Sequence, residues 1–112
     1  MQVNFQSLNK AAAELAAFVE RRVRFAMRRR ADAVPQVTVR LEDLNGPRGG
    51  PDKECRITLR TEGHGTLVVR ALATTWRRAV HEALLRAGHL LARVMGRKQS
   101  HRRPALQGPD AA

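Results

Sequence analysis

Cysteines and long apolar runs are scarce in this chain, and each scarcity excludes a class of protein. The single cysteine, Cys55, excludes an internal disulfide and any zinc site built on two or more cysteines. The longest apolar runs, such as residues 15–19, fall far short of the roughly 20 residues that span a membrane. No apolar segment follows a basic start at the N-terminus, so we expect no secretory signal peptide. These absences favour a cytoplasmic protein that does not act in a membrane.

Acidic and aromatic residues are also few. The 112 residues include 10 Asp and Glu against 21 Lys and Arg, which gives a formal net charge of +11. A chain this basic predicts a polyanionic partner. The only aromatics are Phe5, Phe18, Phe25 and Trp76, and no predicted strand carries the paired exposed rings of a sheet that binds single-stranded RNA. We therefore expect contacts mainly to phosphates and sugars, with recognition of shape more than of sequence.

Hydrophobic periodicity predicts an α+β fold. Apolar residues alternate in four short segments, and they recur at helical spacing in two long ones. The order β-α-β-β-β-α favours a four-stranded sheet with both helices packed on one face, and an antiparallel meander of the last three strands. The predicted strands cover 1–8, 37–41, 55–61 and 66–71, and the predicted helices cover 9–30 and 74–97.

The same patterns predict a core, two turns and the organisation of the chain. Turns are expected over 45–51 and 63–65, and Gly96 is expected to cap the second helix. Residues 1–98 are predicted to form one domain, and the basic segment 99–112 a mobile tail. The predicted core residues are Val19, Val23, Ile57, Leu59, Val80, Leu84 and Leu91.

No catalytic or metal-binding motif is complete in the sequence. His81-Glu82 lacks the second histidine of the helical zinc motif, because position 85 is Leu85. The segment 46–53 resembles a phosphate-binding loop only in its glycines, and a strand rather than a helix follows it. Cys55 fits a small core residue better than a nucleophile. We therefore expect no enzymatic activity, metal, cofactor or small-molecule substrate.

Basic residues concentrate in two segments that coincide with the predicted helices. Residues 21–30 hold six arginines and no acid, and residues 83–103 contain no acid at all. Guanidinium groups bind phosphates through bidentate hydrogen bonds, so both helices are predicted to contact nucleic acid. The predicted RNA-binding residues are Arg21, Arg24 and Arg28 on the first helix, Arg78, Arg86, Arg93, Arg97 and Lys98 on the second, and Arg102 and Arg103 in the tail.

Several strings of the sequence resemble one family. The most specific runs from residues 41–46 (Leu-Glu-Asp-Leu-Asn-Gly) through 49–55 (Gly-Gly-Pro-Asp-Lys-Glu-Cys). The opening 1–4, the Leu15–Val19 spacing, the strand 37–41, Ala79-Val80 with Arg86, and the ending Met95-Gly-Arg97 match in the same order. Over residues 1–98 the chain resembles the short ribosome hibernation-promoting factors, also called ribosome-associated inhibitors or sigma-54 modulation proteins, in a divergent proteobacterial branch. It departs from the pattern at Arg30, His81 and Ala87.

The resemblance implies a function in bacterial translation. It implies binding in the messenger channel of the small ribosomal subunit, with contacts to 16S rRNA, and inhibition of translation under stress or in stationary phase. It also implies a cytoplasmic protein that is a monomer off the ribosome.

Two alternatives to ribosome binding stay open from the sequence. A general module for structured RNA or DNA would bind naked duplexes as tightly as it binds small subunits. A basic helix that binds a membrane surface or a partner protein would need free apolar stripes, which the sheet requires for its core.

Overall fold

A computed structural model describes residues 1–44 and 51–102, with side chains as far as residue 96. These residues form a four-stranded sheet and three α-helices, so the predicted α+β class is confirmed. The strands are β1 (Gln2–Gln6), β2 (Gln36–Asp43), β3 (Lys53–Arg60) and β4 (Thr66–Ala73). The helices are α1 (Lys10–Ala13), α2 (Ala16–Ala26) and α3 (Trp76–Arg102), with a 3₁₀ turn over Arg28–Arg30.

The strands follow one another across the sheet in the order β1-β2-β3-β4. The strand β1 pairs in parallel with β2, whereas β2–β3 and β3–β4 pair antiparallel, which confirms the predicted meander. The β3–β4 turn requires glycine, because Gly63 and Gly65 have φ angles of 89° and 73°. The predicted turn at 45–51 lies almost entirely outside the described residues, but the Leu44 N–H donates to the Asp52 carbonyl across its base (2.9 Å).

One face of the sheet is apolar and carries the helices. Alternate residues of the strands point to this face, so Val37, Val39 and Leu41 of β2 lie beside Leu59, Ile57 and Cys55 of β3. All six are buried. The seven residues predicted to form the core are buried as well, and Trp76 packs against this core. The opposite face of the sheet is open and largely polar, and it includes the half-exposed Val68 and Leu72 of β4.

The two long helices run side by side in the same direction. Strands β1 and β4 both run parallel to β2, so the helices that return from them along the sheet share an orientation. Two contacts confirm this arrangement. The Arg77 guanidinium of α3 lies 4.3 Å from the centroid of the Phe18 ring near the start of α2. At the other end, Arg30 Nη1 lies 3.5 Å from Met95 Sδ of α3.

The first predicted helix, 9–30, is not continuous. The N–H of Leu15 donates to the carbonyl of Ala12, three residues back, and the chain tightens there between α1 and α2. A second departure at Met27 (φ −101°, ψ 8°) separates α2 from the 3₁₀ turn. Neither position holds glycine or proline, so the sequence carries no signal for these breaks. Asn9 caps α1, since its Oδ1 accepts from the Ala12 N–H (3.1 Å).

The predicted C-terminal cap at Gly96 is wrong. The helix α3 continues through this residue to Arg102. A glycine in a helix interior lowers stability without ending the helix, and the residues that follow are good helix formers. The proposed division into a domain over 1–98 and a tail over 99–112 stays a prediction.

Adjacent leucines of α3 provide a matched test of the core. Leu84 is 6% exposed, whereas Leu85 is 49% exposed. We expect Leu84→Ala to lower the free energy of unfolding by about 2–5 kcal/mol, because it removes packed methyl groups and leaves a cavity. Leu85→Ala should change it by no more than about 0.5 kcal/mol. Urea unfolding followed by Trp76 fluorescence measures both, and equal small losses would show that the apolar stripe is not packed.

Gly88 weakens α3 without serving its packing. A Cβ built at this position meets no atom within 4 Å. We therefore expect Gly88→Ala to raise the free energy of unfolding by up to about 1 kcal/mol, the difference in helix propensity. Gly63→Ala is the opposing control, because its positive φ makes a side chain unfavourable by about 1–2 kcal/mol. A destabilised Gly88→Ala protein would mean that the space beside α3 is filled.

Candidate nucleic-acid interface

The outward side of the helix layer is strongly basic. Ten arginines of α2, the 3₁₀ turn and the first six turns of α3 lie on this layer, and only Glu20 and Glu82 provide acids within these elements. We call this the helix-layer surface. Its arginines are Arg21, Arg22, Arg24, Arg28, Arg29, Arg30, Arg77, Arg78, Arg86 and Arg93.

On α2, the three predicted RNA-binding arginines differ in their contacts. Arg24 pairs with Glu20 one turn earlier (3.0 Å) and donates to the Met1 carbonyl beside β1 (3.1 Å). Arg28 donates to the Phe25 carbonyl (2.6 Å) and covers the Phe25 ring, with its guanidinium carbon 4.0 Å from the centroid. Arg21 is exposed and has no hydrogen bond or ion pair within the described part of the chain. Arg24 therefore faces the β1 edge, while Arg21 is free for an external anion.

On α3, the structure brings Arg86 and Arg93 together beside the free edge of β4. With Val68, Val69, His89 and Leu90 they line one shallow groove, which we call the β4–α3 groove. Arg86 Nη1 also donates to the Arg70 carbonyl of β4. Arg93 is exposed and has no ion-pair partner among the described side chains. Two of the predicted contact residues therefore lie together in one groove of the helix-layer surface.

Arg78 lies apart from this groove and is paired. Its Nε is 3.3 Å from a carboxylate oxygen of Glu82 one turn later, and both side chains reach solvent. An exposed pair of this kind stabilises by no more than about 1 kcal/mol, so a phosphate can displace it. The side chains of Arg97, Lys98 and Arg102 and the whole of Arg103 lie outside the described residues, although α3 includes the first three.

Sequence reasoning missed several arginines with defined places. Arg77 and Arg30 join the two helices through Phe18 and Met95, as described above. On the open face of the sheet, Arg40, Arg56 and Arg70 stand directly opposite one another on three neighbouring strands. Strand alternation places each of them on the outer face, but only the register aligns them, and the register depends on the hairpins.

Lys53 is paired with two carboxylates, so it gives no support to a phosphate-binding loop. Its ammonium group lies 3.2 Å from Asp43 Oδ2 and 3.1 Å from Asp52 Oδ1. Hydrogen bonds to Asp52 and then Asp43 raise the pKa of Lys53 above its usual value. The same group lies 5.7 Å from the centroid of the Trp76 ring. This cluster ties the β2–β3 hairpin to the start of α3 and leaves Lys53 paired within the fold.

The described side chains offer little for catalysis or metal binding. Cys55 is fully buried in the core, as predicted. Burial, with a smaller contribution from Glu54, raises the pKa of its thiol to about 12. Within residues 1–44 and 51–96, no three His, Cys, Asp or Glu side chains come close enough to hold a metal ion. No helix in the described ranges is long and apolar enough to cross a membrane.

The fold is similar to that of a ribosomal subunit interface protein from Coxiella burnetii. The similarity has a TM-score of 0.59 and covers 86% of this chain and 99% of that chain, at 12% sequence identity. No protein-family model matches this chain, and no curated protein sequence matches it. At this identity the structural similarity concerns the fold alone.

The raised pKa of Cys55 predicts an unreactive thiol in the folded protein. Only the thiolate attacks a disulfide reagent, and a pKa of about 12 leaves almost none at pH 8. We expect DTNB to leave the native protein unmodified at pH 8, and to label it once urea unfolds the chain. Rapid labelling without denaturant would mean that β3 opens easily or that the thiol is exposed.

Proposed function

We propose that this protein binds the small ribosomal subunit through its helix-layer surface and blocks translation. The observation that carries the proposal is the concentration of ten arginines, against two acids, on the outward side of two parallel helices. The similarity of the fold to that of a ribosomal subunit interface protein also supports binding to the ribosome. In this proposal the contacts are to 16S rRNA in the messenger channel.

The proposed contact residues are those predicted from the sequence. Three of these arginines could contact phosphates without breaking an ion pair. They are Arg86 and Arg93 in the β4–α3 groove and the unpaired Arg21. Arg24, Arg28 and Arg78 can exchange weak surface contacts for phosphates. Arg97, Lys98, Arg102 and Arg103 are proposed from the sequence alone.

The biological setting follows from the family resemblance. The protein would act in the bacterial cytoplasm, in resting or stressed cells, as a monomer until it binds the ribosome. It would be a binding protein rather than an enzyme. The buried, protonated thiol of Cys55 supports that view, because it removes the one strong nucleophile of the chain.

A general affinity for structured nucleic acid is the second candidate, since the same surface would attract any duplex. The membrane-surface alternative has less support. It requires an apolar helix stripe that is free, and the stripe residues Val19, Val23, Val80 and Leu91 are buried against the sheet.

Charge reversal in the β4–α3 groove tests the proposal. We expect Arg86→Glu/Arg93→Glu to abolish sedimentation with small subunits and to relieve inhibition in a translation extract. If the wild-type protein makes roughly 6–10 phosphate contacts, its affinity should fall by about 10³–10⁵ between 50 and 200 mM salt, by analogy with duplex DNA. Any residual binding by the double variant should show a shallower salt dependence, because fewer counterions are released.

The matched control reverses two arginines on the other face of the molecule. Arg56→Glu/Arg60→Glu makes the same change in net charge on β3, where both side chains belong to the open face of the sheet. It should retain most of the binding. Equal losses in the two variants would show attraction by net charge alone. Binding of naked duplex RNA as tight as that of small subunits would favour the general module.

A further inference from the structure

An exposed phenylalanine lies in the middle of the arginines of α2. Phe25 is 64% exposed, although its neighbours Val23 and Met27 are buried. Each of these is two positions from Phe25, which is about 200° around a helix, so the ring points away from the core. The ring therefore contributes nothing to the packing of α2 on the sheet.

The neighbours of Phe25 on the helix surface are all arginines. Residues three and four positions away are the ones that adjoin a side chain on a helix. On α2 these are Arg21 and Arg22, and both are exposed. Beyond the break at Met27, Arg28 of the 3₁₀ turn contacts the ring. The aromatic ring is thus a flat apolar surface with guanidinium groups beside it.

The Arg28 guanidinium lies over this aromatic ring. The guanidinium carbon lies 4.0 Å from the ring centroid, and Nη1 donates to the Phe25 carbonyl (2.6 Å), which anchors the side chain. The ring remains 64% exposed with Arg28 in place. The arrangement leaves room for a second planar group against the aromatic and guanidinium surfaces.

Helix stability does not account for a phenylalanine at this position. Phenylalanine has a lower helix propensity than the alanines and arginines of α2. Isolated apolar residues do occur on protein surfaces. The three arginines beside this one, Arg21, Arg22 and Arg28, are what points to an anionic ligand that also carries a planar apolar group.

We propose that Phe25 and Arg28 form a stacking site for one unpaired nucleobase of the bound RNA. This inference rests on the proposed binding of RNA. The base would stack on the ring and the guanidinium, while Arg21 and Arg22 contact the flanking phosphates. Stacking of this kind accepts any base, because every base has a flat π-surface. The site would therefore select an unpaired nucleotide over a duplex without reading its sequence.

The test compares a ligand that has bases with one that has none. The probes are a fluorescein-labelled single-stranded RNA decamer without self-complementarity and inorganic polyphosphate, with binding measured by anisotropy and by competition. The variants are Phe25→Ala, Phe25→Leu and Phe25→Trp in the full-length protein. Leu85→Ala is the control, since it removes an exposed apolar side chain from α3. Circular dichroism checks that each variant is folded.

We expect Phe25→Ala and Phe25→Leu to weaken binding of the decamer by about 5- to 150-fold, the effect of losing one stacked base. Phe25→Trp and Leu85→Ala should bind it as the wild type does, and no variant should change binding of polyphosphate. Unchanged decamer binding by Phe25→Ala overturns the stacking site. Equal losses for the decamer and polyphosphate overturn it too, because they would show an electrostatic effect.

Sedimentation with small subunits separates this inference from the proposed function. If Phe25→Ala weakens decamer binding but the wild-type protein does not bind small subunits, the stacking site stands and the ribosomal assignment fails. If the wild type binds small subunits and Phe25→Ala binds the decamer unchanged, the ribosomal assignment stands and the stacking site fails.

Discussion

The burial of one face of the sheet, and only one, determines the rest of this structure. Strand alternation gives β2 and β3 an apolar side and a polar side. Helices must cover the apolar side to remove it from water, while the polar side can stay exposed. Because β1 and β4 run in the same direction, the helices that follow them return in parallel over the same face. Each helix then has one side committed to the core and the other to solvent.

The burial of one side of each helix explains where the positive charge lies. The apolar stripes of α2 and α3 are occupied by the sheet, so their arginines share one outward layer. Like charges at helical spacing repel one another, and the fold relieves this only in part. Glu20 and Glu82 pair with one arginine each, while Phe18 and Phe25 each receive a guanidinium. Repulsion among the other arginines is what a bound polyanion would remove.

The sequence was sufficient for the features that depend on local periodicity. Alternation predicted the strands and the inward residues, and helical spacing predicted Val19, Val23 and Leu91 in the core. It could not predict the breaks at Leu15 and Met27, where no breaker residue stands and the hydrogen bonds tighten without one.

The candidate site was predictable to a similar degree. Clustering along the chain identified the arginines of both helices. The bond from Arg86 to the Arg70 carbonyl depends on how α3 lies against β4, which no local pattern contains. Phe25 is an intermediate case. Its spacing from Val19 and Val23 indicates an outward ring, but the contact with Arg28 depends on the 3₁₀ turn that follows the break at Met27.

Under the proposed function, the positions of the arginines favour folded RNA over a single extended strand. Arg24 reaches toward β1, whereas Arg86 contacts β4, at the opposite edge of the sheet. Three strand spacings separate these edges, a width of about 14 Å. A lone strand in an extended groove would meet aromatic side chains at successive steps. Among the described residues of this surface, Phe25 is the one aromatic ring that is largely exposed, and arginines cover a wide area on either side of it. The arrangement suits folded RNA, in which several phosphate chains approach together and a single unpaired base is turned outward.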